Sequence, residues 1–378
     1  MSESADFLSD LPPEARQASG VLRIDLAALR HNYRLLKEQV SARTLSAVVK
    51  ADAYGLGAEK VVAALYQEGC RNFFVAHLEE AAPLLPQVPD DAAFYVLNGL
   101  HPGTEAEGSR TGRVVPVCNS LAQFEAWCAE ANRLRRRFPT AIHVDTGMSR
   151  LGFSLDELEV LAAREDWRAS LRVHLLISHL ACADEPEHPL NPVQLQRFNQ
   201  LVGRFPGAST SLANSAGCLL PESYHQQWAR PGIALYGVNP LSLQTAPLAP
   251  VVSLHARVLQ VRSVEAGASV GYGASYTADA PRRLATVAVG YADGWPRHLS
   301  NCGAVYWQSH RLPIVGRVSM DLTVVDISAL PQDALQPGSW VELIGEHQTA
   351  AMIAADAGTI PYEILTRLGQ RYYRHYTG

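Results

Sequence analysis

Between residues 44 and 236 the chain repeats one theme: a short apolar, β-branched run, then in most cases a segment of helical spacing. The runs fall at 44–50, 72–76, 92–97, 113–117, 141–145, 171–178, 209–213 and 229–236. They are apolar at nearly every position rather than at alternate ones, the pattern of strands buried on both faces of a parallel sheet. Helical patterns occupy 58–69, 77–86, 120–137, 155–164 and 190–204. Ser120 is placed to cap one of these, and Asn191-Pro192 to start another. Eight strands alternating with helices predict a (β/α)8 barrel rather than an open sheet.

The flanks read differently. Residues 1–20 form a polar, poorly ordered arm. Val21–Leu26 is a strand, followed to about Val40 by an amphipathic helix with Leu29, Tyr33, Leu36 and Val40 on one face. Beyond Pro240–Pro250 apolar and polar residues alternate, at 254–264, 284–289, 304–307, 312–318, 322–327 and 340–343, and helix returns only near Thr349 and Tyr362. That is a mainly antiparallel β domain. The expected division is an arm at 1–20, a barrel at 21–245 and a β domain at 246–378, with the strand at 21–26 also able to pack on the C-terminal domain.

Composition narrows the function classes. A 378-residue chain with 47% hydrophobic and 18% charged residues suits a soluble protein with an ample core. Its net charge of −5 argues against a nucleic-acid partner. The one dense basic run, Arg133 to Arg137, ends a helical pattern, where cations complement the helix dipole. Six scattered cysteines without a C-x-x-C pair point to a reducing compartment. Met1–Asp10 is acidic and lacks an apolar h-region, and no run is long enough to span a bilayer. The cytoplasm is the expected location, with no membrane partner.

In a barrel of this type, functional groups gather at the C-terminal ends of the strands. Lys50 ends the first strand, a costly place for an amine unless it has chemistry to do or a route to water. Arg150 follows the fifth, Ser178-His179 ends the sixth, Asn214-Ser215 the seventh, and Arg230-Pro-Gly-Ile233 the eighth. Taken singly, each has an ordinary structural explanation. Their convergence on one rim points to a site. No His-x-His or carboxylate cluster falls there, so no metal is expected.

The motifs around these residues resemble those of alanine racemases. They are Val48-Val-Lys-Ala-Asp-Ala-Tyr-Gly-Leu-Gly57, Asp145-Thr-Gly-Met-Ser-Arg-Leu-Gly-Phe153, Ser178-His-Leu-Ala-Cys-Ala-Asp-Glu-Pro186, Leu212-Ala-Asn-Ser-Ala216 and Ala229-Arg-Pro-Gly-Ile-Ala-Leu-Tyr-Gly237. In the second half stand Val270-Gly-Tyr-Gly-Ala274, Val289-Gly-Tyr-Ala-Asp-Gly294, Gly316-Arg-Val-Ser-Met-Asp321 and Ile360-Pro-Tyr-Glu363. All occur in family order over roughly 22–375.

The resemblance implies interconversion of L- and D-alanine with pyridoxal 5′-phosphate (PLP), which Lys50 binds as an imine. Lys50 and Tyr272 are the implied bases on opposite faces of the substrate carbanion. Tyr272 comes from the β domain of a second copy, so an obligate homodimer is implied. Arg230 faces the pyridine nitrogen, and His179 completes the network with it. Tyr54, Asn214, Ser215, Gly232, Ile233 and Tyr362 hold the cofactor, the phosphate above all. Arg150 and the backbone of Met320 meet the substrate carboxylate, and Tyr291 with Tyr362 narrows the entry. One position departs from the pattern. Many members carry a lysine, which can be carbamylated, where this chain has His143, so Arg150 must be positioned by a chloride, another anion or His143 itself.

Three other readings stand beside this one. A barrel-type amino-acid decarboxylase would set a carboxylate, not an arginine, against the ring nitrogen. A racemase for a larger amino acid, such as serine or lysine, is excluded only weakly by the sequence. A non-catalytic PLP-binding barrel would have no use for Tyr272 and Met320. The physiological role implied is D-alanine supply for peptidoglycan, or alanine catabolism.

Overall fold

The computed structural model describes residues 11–241 and 247–378. The chain divides into two compact units, Leu29–Ala249 and a second made of Met1–Ala28 with Pro250–Gly378.

The first unit is the expected barrel. Its strands are β1 (Thr44–Leu45 and Ala47–Val48), β2 (Asn72–Val75), β3 (Ala93–Val96), β4 (Val114–Cys118), β5 (Phe138–His143), β6 (Leu171–Ile177), β7 (Ser209–Ser211) and β8 (Trp228–Ala229), each parallel to its neighbours. Nearly complete closure depends on the interruption at Ser46. Before it, Thr44 and Leu45 register with Trp228 and Ala229 of β8; after it, Ala47 and Val48 register with Phe73 and Phe74 of β2. At the switch the Ser46 hydroxyl donates to the Ala229 carbonyl at 2.7 Å, and its amide donates to the same oxygen at 3.0 Å. One strand thereby serves two edges, and the buried backbone polar groups there are satisfied.

Helices cover the barrel where the sequence places apolar faces. Ser120 caps Leu121–Leu134, its hydroxyl accepting from the Gln123 amide. Ser154 and Glu157 form a capping box on Leu155–Ala163. Phe124, Trp127, Leu158, Leu161, Phe198 and Leu201 from these helices and Leu190–Leu201 join one buried cluster with Phe138, Ile142 and Leu176 of the strands. Burying each such side chain contributes about 1.5–3 kcal/mol.

Three elements differ from the reading above. The helix at 77–86 is only Leu78–Ala81 followed by a 3-10 turn Leu85–Gln87, because Pro83 and Pro86 lack amide donors. The strand at 229–236 stops at Ala229; Pro231 ends the ladder and the chain turns into a 3-10 segment, Ile233–Tyr236. The strand at 44–50 ends at Val48, leaving Lys50 at the head of a turn.

In the second unit, Val252–Val264 is the central strand. It pairs antiparallel with Gly20–Asp25, Arg282–Val287 and Trp340–Ile344. Tyr373–Thr377 lies parallel to Gly20–Asp25 on its other side. The first strand of the chain is thus hydrogen-bonded into the C-terminal sheet. Ala304–Trp307 and His310–Pro313 form a hairpin, Thr323–Asp326 pairs with Arg282–Val287, and Ser269–Val270 pairs with Tyr276–Thr277.

Residues 1–10 of the expected arm, and 242–246 at the end of the expected barrel, lie outside the described residues. Residues 11–20 of the arm are among those described. Pro13–Gln17 makes a 3-10 turn that buries Leu11 and Ala15 against Val21, beside Trp340 and Tyr373.

Candidate active site

At the C-terminal end of β1, Lys50 opens a turn in which Ala51, Asp52, Ala53 and Tyr54 all have φ of 52–59° and ψ of 36–50°. Four successive L-residues in left-handed geometry cost roughly 1–2 kcal/mol each. Local hydrogen bonds and one distant ring contact offset that cost. Ala53 N–H donates to Val49 O at 2.9 Å, and Asp52 O accepts from Leu56 and Gly57 at 2.9 and 3.0 Å. The Asp52 carboxylate takes the Ala58 amide at 2.7 Å, capping the helix Ala58–Gln67, and the Tyr54 ring lies 4.9 Å from that of Tyr236.

Arg150 lies in a loop shaped by Asp145. Burial works against the Asp145 charge, but the amides of Gly147, Ser149 and Met148, at 2.8–3.1 Å, outweigh it and hold the carboxyl below its ordinary value. Gly152 is required here. Its φ is +111°, and a Cβ would approach the Asp145 amide to 2.7 Å.

Arg230 is buried. It donates to the Ser211 hydroxyl, and to the Ser178 carbonyl at 2.6 Å. Burial lowers its guanidinium to about 10, which leaves it charged at neutral pH. His179, on the same rim, is held well below its ordinary value by burial first, then by Arg230, Arg150, His143 and Lys50, and is neutral. Lys50 itself is lowered by burial and then by Arg150, with Glu80 opposing.

His143 is buried and lowered to about 4 by burial, Arg230 and Arg150. Its partner was not legible in the sequence. Nδ1 lies 2.7 Å from Asn119 Oδ1, while Asn119 Nδ2 donates to the carbonyls of Leu97 and Val117 at 3.0 and 2.9 Å. With the amide so oriented, Nδ1 carries the proton and Nε2 is the lone-pair side.

The remaining barrel residues surround the turn after β8. Ser215 Oγ accepts the amides of Gly232 at 2.7 Å and Ala234 at 3.3 Å, and Asn214 Oδ1 takes the Gly217 amide at 2.9 Å. Ile233 is fully buried behind them. At Gly232 a Cβ would lie 2.2 Å from the Tyr54 hydroxyl, so the backbone there approaches as only glycine permits. Lys50, Arg150 and Arg230 concentrate cationic groups on this rim of a chain whose net charge is −5. Such a site favours an anion. A hydroxyl and a close-approaching glycine backbone at the seventh and eighth strands fit a phosphate, and a lysine with a lowered pKa fits a carbonyl partner.

Four expected residues lie on the second unit. Tyr272 sits between Gly271 and Gly273, both at positive φ, at the tip of the hairpin Ser269–Thr277, and is 73% exposed. Tyr291, Met320 and Tyr362 are also exposed. The Tyr291 and Met320 segments are tied together. Tyr291 and Ala292 donate to the Ser319 and Met320 carbonyls, both at 3.0 Å, and Arg371 bridges Asp293 at 2.6 Å and Asp321 at 2.7 Å.

Buried neutral histidines make stability depend on pH. His143 and His255 are both lowered from 6.5 to about 4. The unfolded chain binds the extra protons, so their contribution is complete above pH 6.5 and is lost as pH falls towards 4. Each transition removes about 2–3 kcal/mol by pH 4.5. Thermal unfolding should show a lower midpoint at pH 4.5 than at 7.5, with a shallower slope in His255→Leu. An unchanged slope in that variant would contradict the assignment.

Fold and site together define a two-unit enzyme of the lysine-bearing barrel class. The alanine racemase N-terminal domain family matches residues 24–240 and the alanine racemase C-terminal domain family matches residues 251–376. The alanine racemase of Brucella abortus is 50% identical over 372 residues, 95% of this chain and 94% of that protein. A catabolic alanine racemase of Rhizobium johnstonii is 52% identical over 362 residues, 96% of each. The crystal structure of alanine racemase from Bartonella henselae with covalently bound pyridoxal phosphate superposes with a TM-score of 0.92 at 44% identity, covering 95% of this chain and 100% of that one. This chain belongs to the alanine racemase family.

Proposed function

We propose that the protein interconverts L- and D-alanine with PLP, using Lys50 and Tyr272 on opposite faces of Cα. The observation that carries this reading is Lys50 itself, an amine at a barrel strand end whose proton is loosened by burial and by Arg150. When bound, PLP supplies the electron sink that lets the Cα–H bond ionise. Lys50 would hold it through Nζ and, once the substrate's amine had displaced Nζ, the freed amine would take or return the Cα proton on one face. A single group cannot serve both faces of a planar carbanion, so the second belongs to Tyr272 from a second copy, in a homodimer. Ser215, the Gly232 and Ile233 backbone, Tyr54 and Tyr362 hold the phosphate, with Asn214 supporting the Ser215 loop.

Arg230 is assigned to the ring nitrogen. A guanidinium gives up no proton there, which weakens the sink and disfavours transamination. An arginine rather than a carboxylate at that place favours racemisation over a decarboxylase; its other hydrogen bonds go to the Ser211 hydroxyl and the Ser178 carbonyl. His179, neutral beside it, can pass a hydrogen bond between Arg230 and the phenol. Arg150 and the Met320 backbone take the substrate carboxylate, and Tyr291 and Tyr362 restrict the side chain to a small one. No described helix is long and apolar enough to cross a membrane; the cytoplasm is the proposed location. D-alanine supply for peptidoglycan is the proposed role, although two relatives are named catabolic alanine racemases.

The test is a panel of L-amino acids in deuterated water, scored for chiral inversion and deuterium at Cα. Alanine should exceed serine and lysine, and a larger amino acid turning over faster would sink the specificity. Gly232→Ala should raise the PLP dissociation constant about tenfold or more, because a methyl group 2.2 Å from the Tyr54 hydroxyl must push the cradle apart. Unchanged cofactor retention on dialysis would remove Gly232 from the phosphate site.

A further inference from the structure

The left-handed turn after Lys50 is clamped at both ends. At the far end, Asp52 takes the Ala58 amide at 2.7 Å. At the near end stands Glu80, in the short helix Leu78–Ala81 that follows β2. Its Oε2 accepts the His77 amide at 3.4 Å, in the manner of a capping box, and the Ala76 amide at 2.6 Å. Its Oε1 is committed elsewhere, to the Ala51 amide at 2.8 Å. One carboxylate therefore ties the first peptide after Lys50 to the end of the neighbouring barrel strand. An ordinary helix cap needs only the bond to His77.

The geometry points to Glu80 as a positioning residue for Lys50, anchoring the strained turn that aims the amine and placing a negative charge beside it. The inference rests on the reading of Lys50 as the base. The groups that act electrostatically on Lys50 are Arg150, from the loop after β5, and Glu80, and Lys50 in turn acts on His179 at the end of β6. His179 is neutral and Arg150 repels the ammonium, so Glu80 is the group that favours it. Removing its charge makes the amine lose its proton at lower pH. Removing the Ala51 bond frees the head of a turn whose backbone angles no residue in it prefers.

The experiment uses the PLP-loaded enzyme. In Glu80→Gln, kcat should fall about tenfold, and the acid limb of its pH profile should move down by about half to one unit. The pH titration of the cofactor's visible absorbance, measured without substrate, should move the same way. Asp52→Ala loosens the far end of the same turn and should lower the thermal midpoint while leaving the limb in place. An unmoved limb in Glu80→Gln, or an equal shift in Asp52→Ala, overturns the inference. Should Glu80→Gln fail to fold, Glu80→Asp decides: it keeps the charge but falls short of Ala51. A reduced kcat with the limb unmoved supports the positioning role, and a wild-type kcat overturns it. Lys50→Ala run in parallel separates the two claims. Retained activity there defeats the underlying reading, whereas an inactive Lys50→Ala with an unmoved Glu80→Gln limb defeats this inference alone.

Discussion

Replacing Lys50 by alanine should lower alanine racemisation by about 10⁴-fold or more, since one change removes both the covalent hold on the cofactor and one of two acid/base groups. The barrel should survive the change. Lys50 contributes its side chain at the rim, and the turn it opens is held by backbone bonds and by Glu80 and Asp52. Purified wild-type protein should be yellow, and the variant should lose that colour on dialysis. Part of the activity should return with a small added amine that fits the space left by the side chain. Deuterium at Cα reports the chemistry directly. Inversion at a percent or more of the wild-type rate, without added amine, would refute the mechanism.

Tyr272→Phe should produce an asymmetric loss. The equilibrium constant between enantiomers is one by symmetry, so kcat/KM for net inversion must fall equally in both directions. Proton exchange is not bound by that constraint. With the phenol gone, Lys50 can still remove the Cα proton of D-alanine and return deuterium to the same face. L-alanine loses its base and should exchange about 10²–10⁴-fold more slowly than in the wild type. Mass spectrometry of each recovered enantiomer distinguishes the two. Equal slowing of exchange would reverse or abolish the assignment of faces. Because Tyr272→Phe keeps the ring and removes one hydroxyl, it should change stability by no more than about 1 kcal/mol. A mixture of Lys50→Ala and Tyr272→Phe proteins supplies a second readout. If each site draws on two copies, mixed dimers should regain activity that neither variant has.

Much of the fold was legible because the signals are local. Apolar runs such as Val114–Cys118 and Leu171–Ile177 have the length and composition of buried strands. Ser120 marks a helix start through a single hydroxyl. Elsewhere a local signal misled. Residues 229–236 are as apolar as a strand, yet the proline and glycine inside them end the ladder at Ala229. Glu80 could have been suspected as the third helical residue after His77, where a carboxylate often reaches back. Nothing local announced its second bond to Ala51.

The chain's own order of residues determined the alternation of strand and helix, the change to a β domain near residue 250, and the motifs that carry Lys50 and Tyr272. Those features follow from spacing and residue chemistry, which act over a few positions. Tertiary structure alone decided that β1 splits at Ser46 to close the barrel, and that Gly20–Asp25 joins a sheet whose central strand lies more than two hundred residues later. It also decided that Ala51–Tyr54 coil left-handed and that Asn119 selects the tautomer of His143. Each of these depends on a partner distant along the chain, whose contact energy outweighs a local preference.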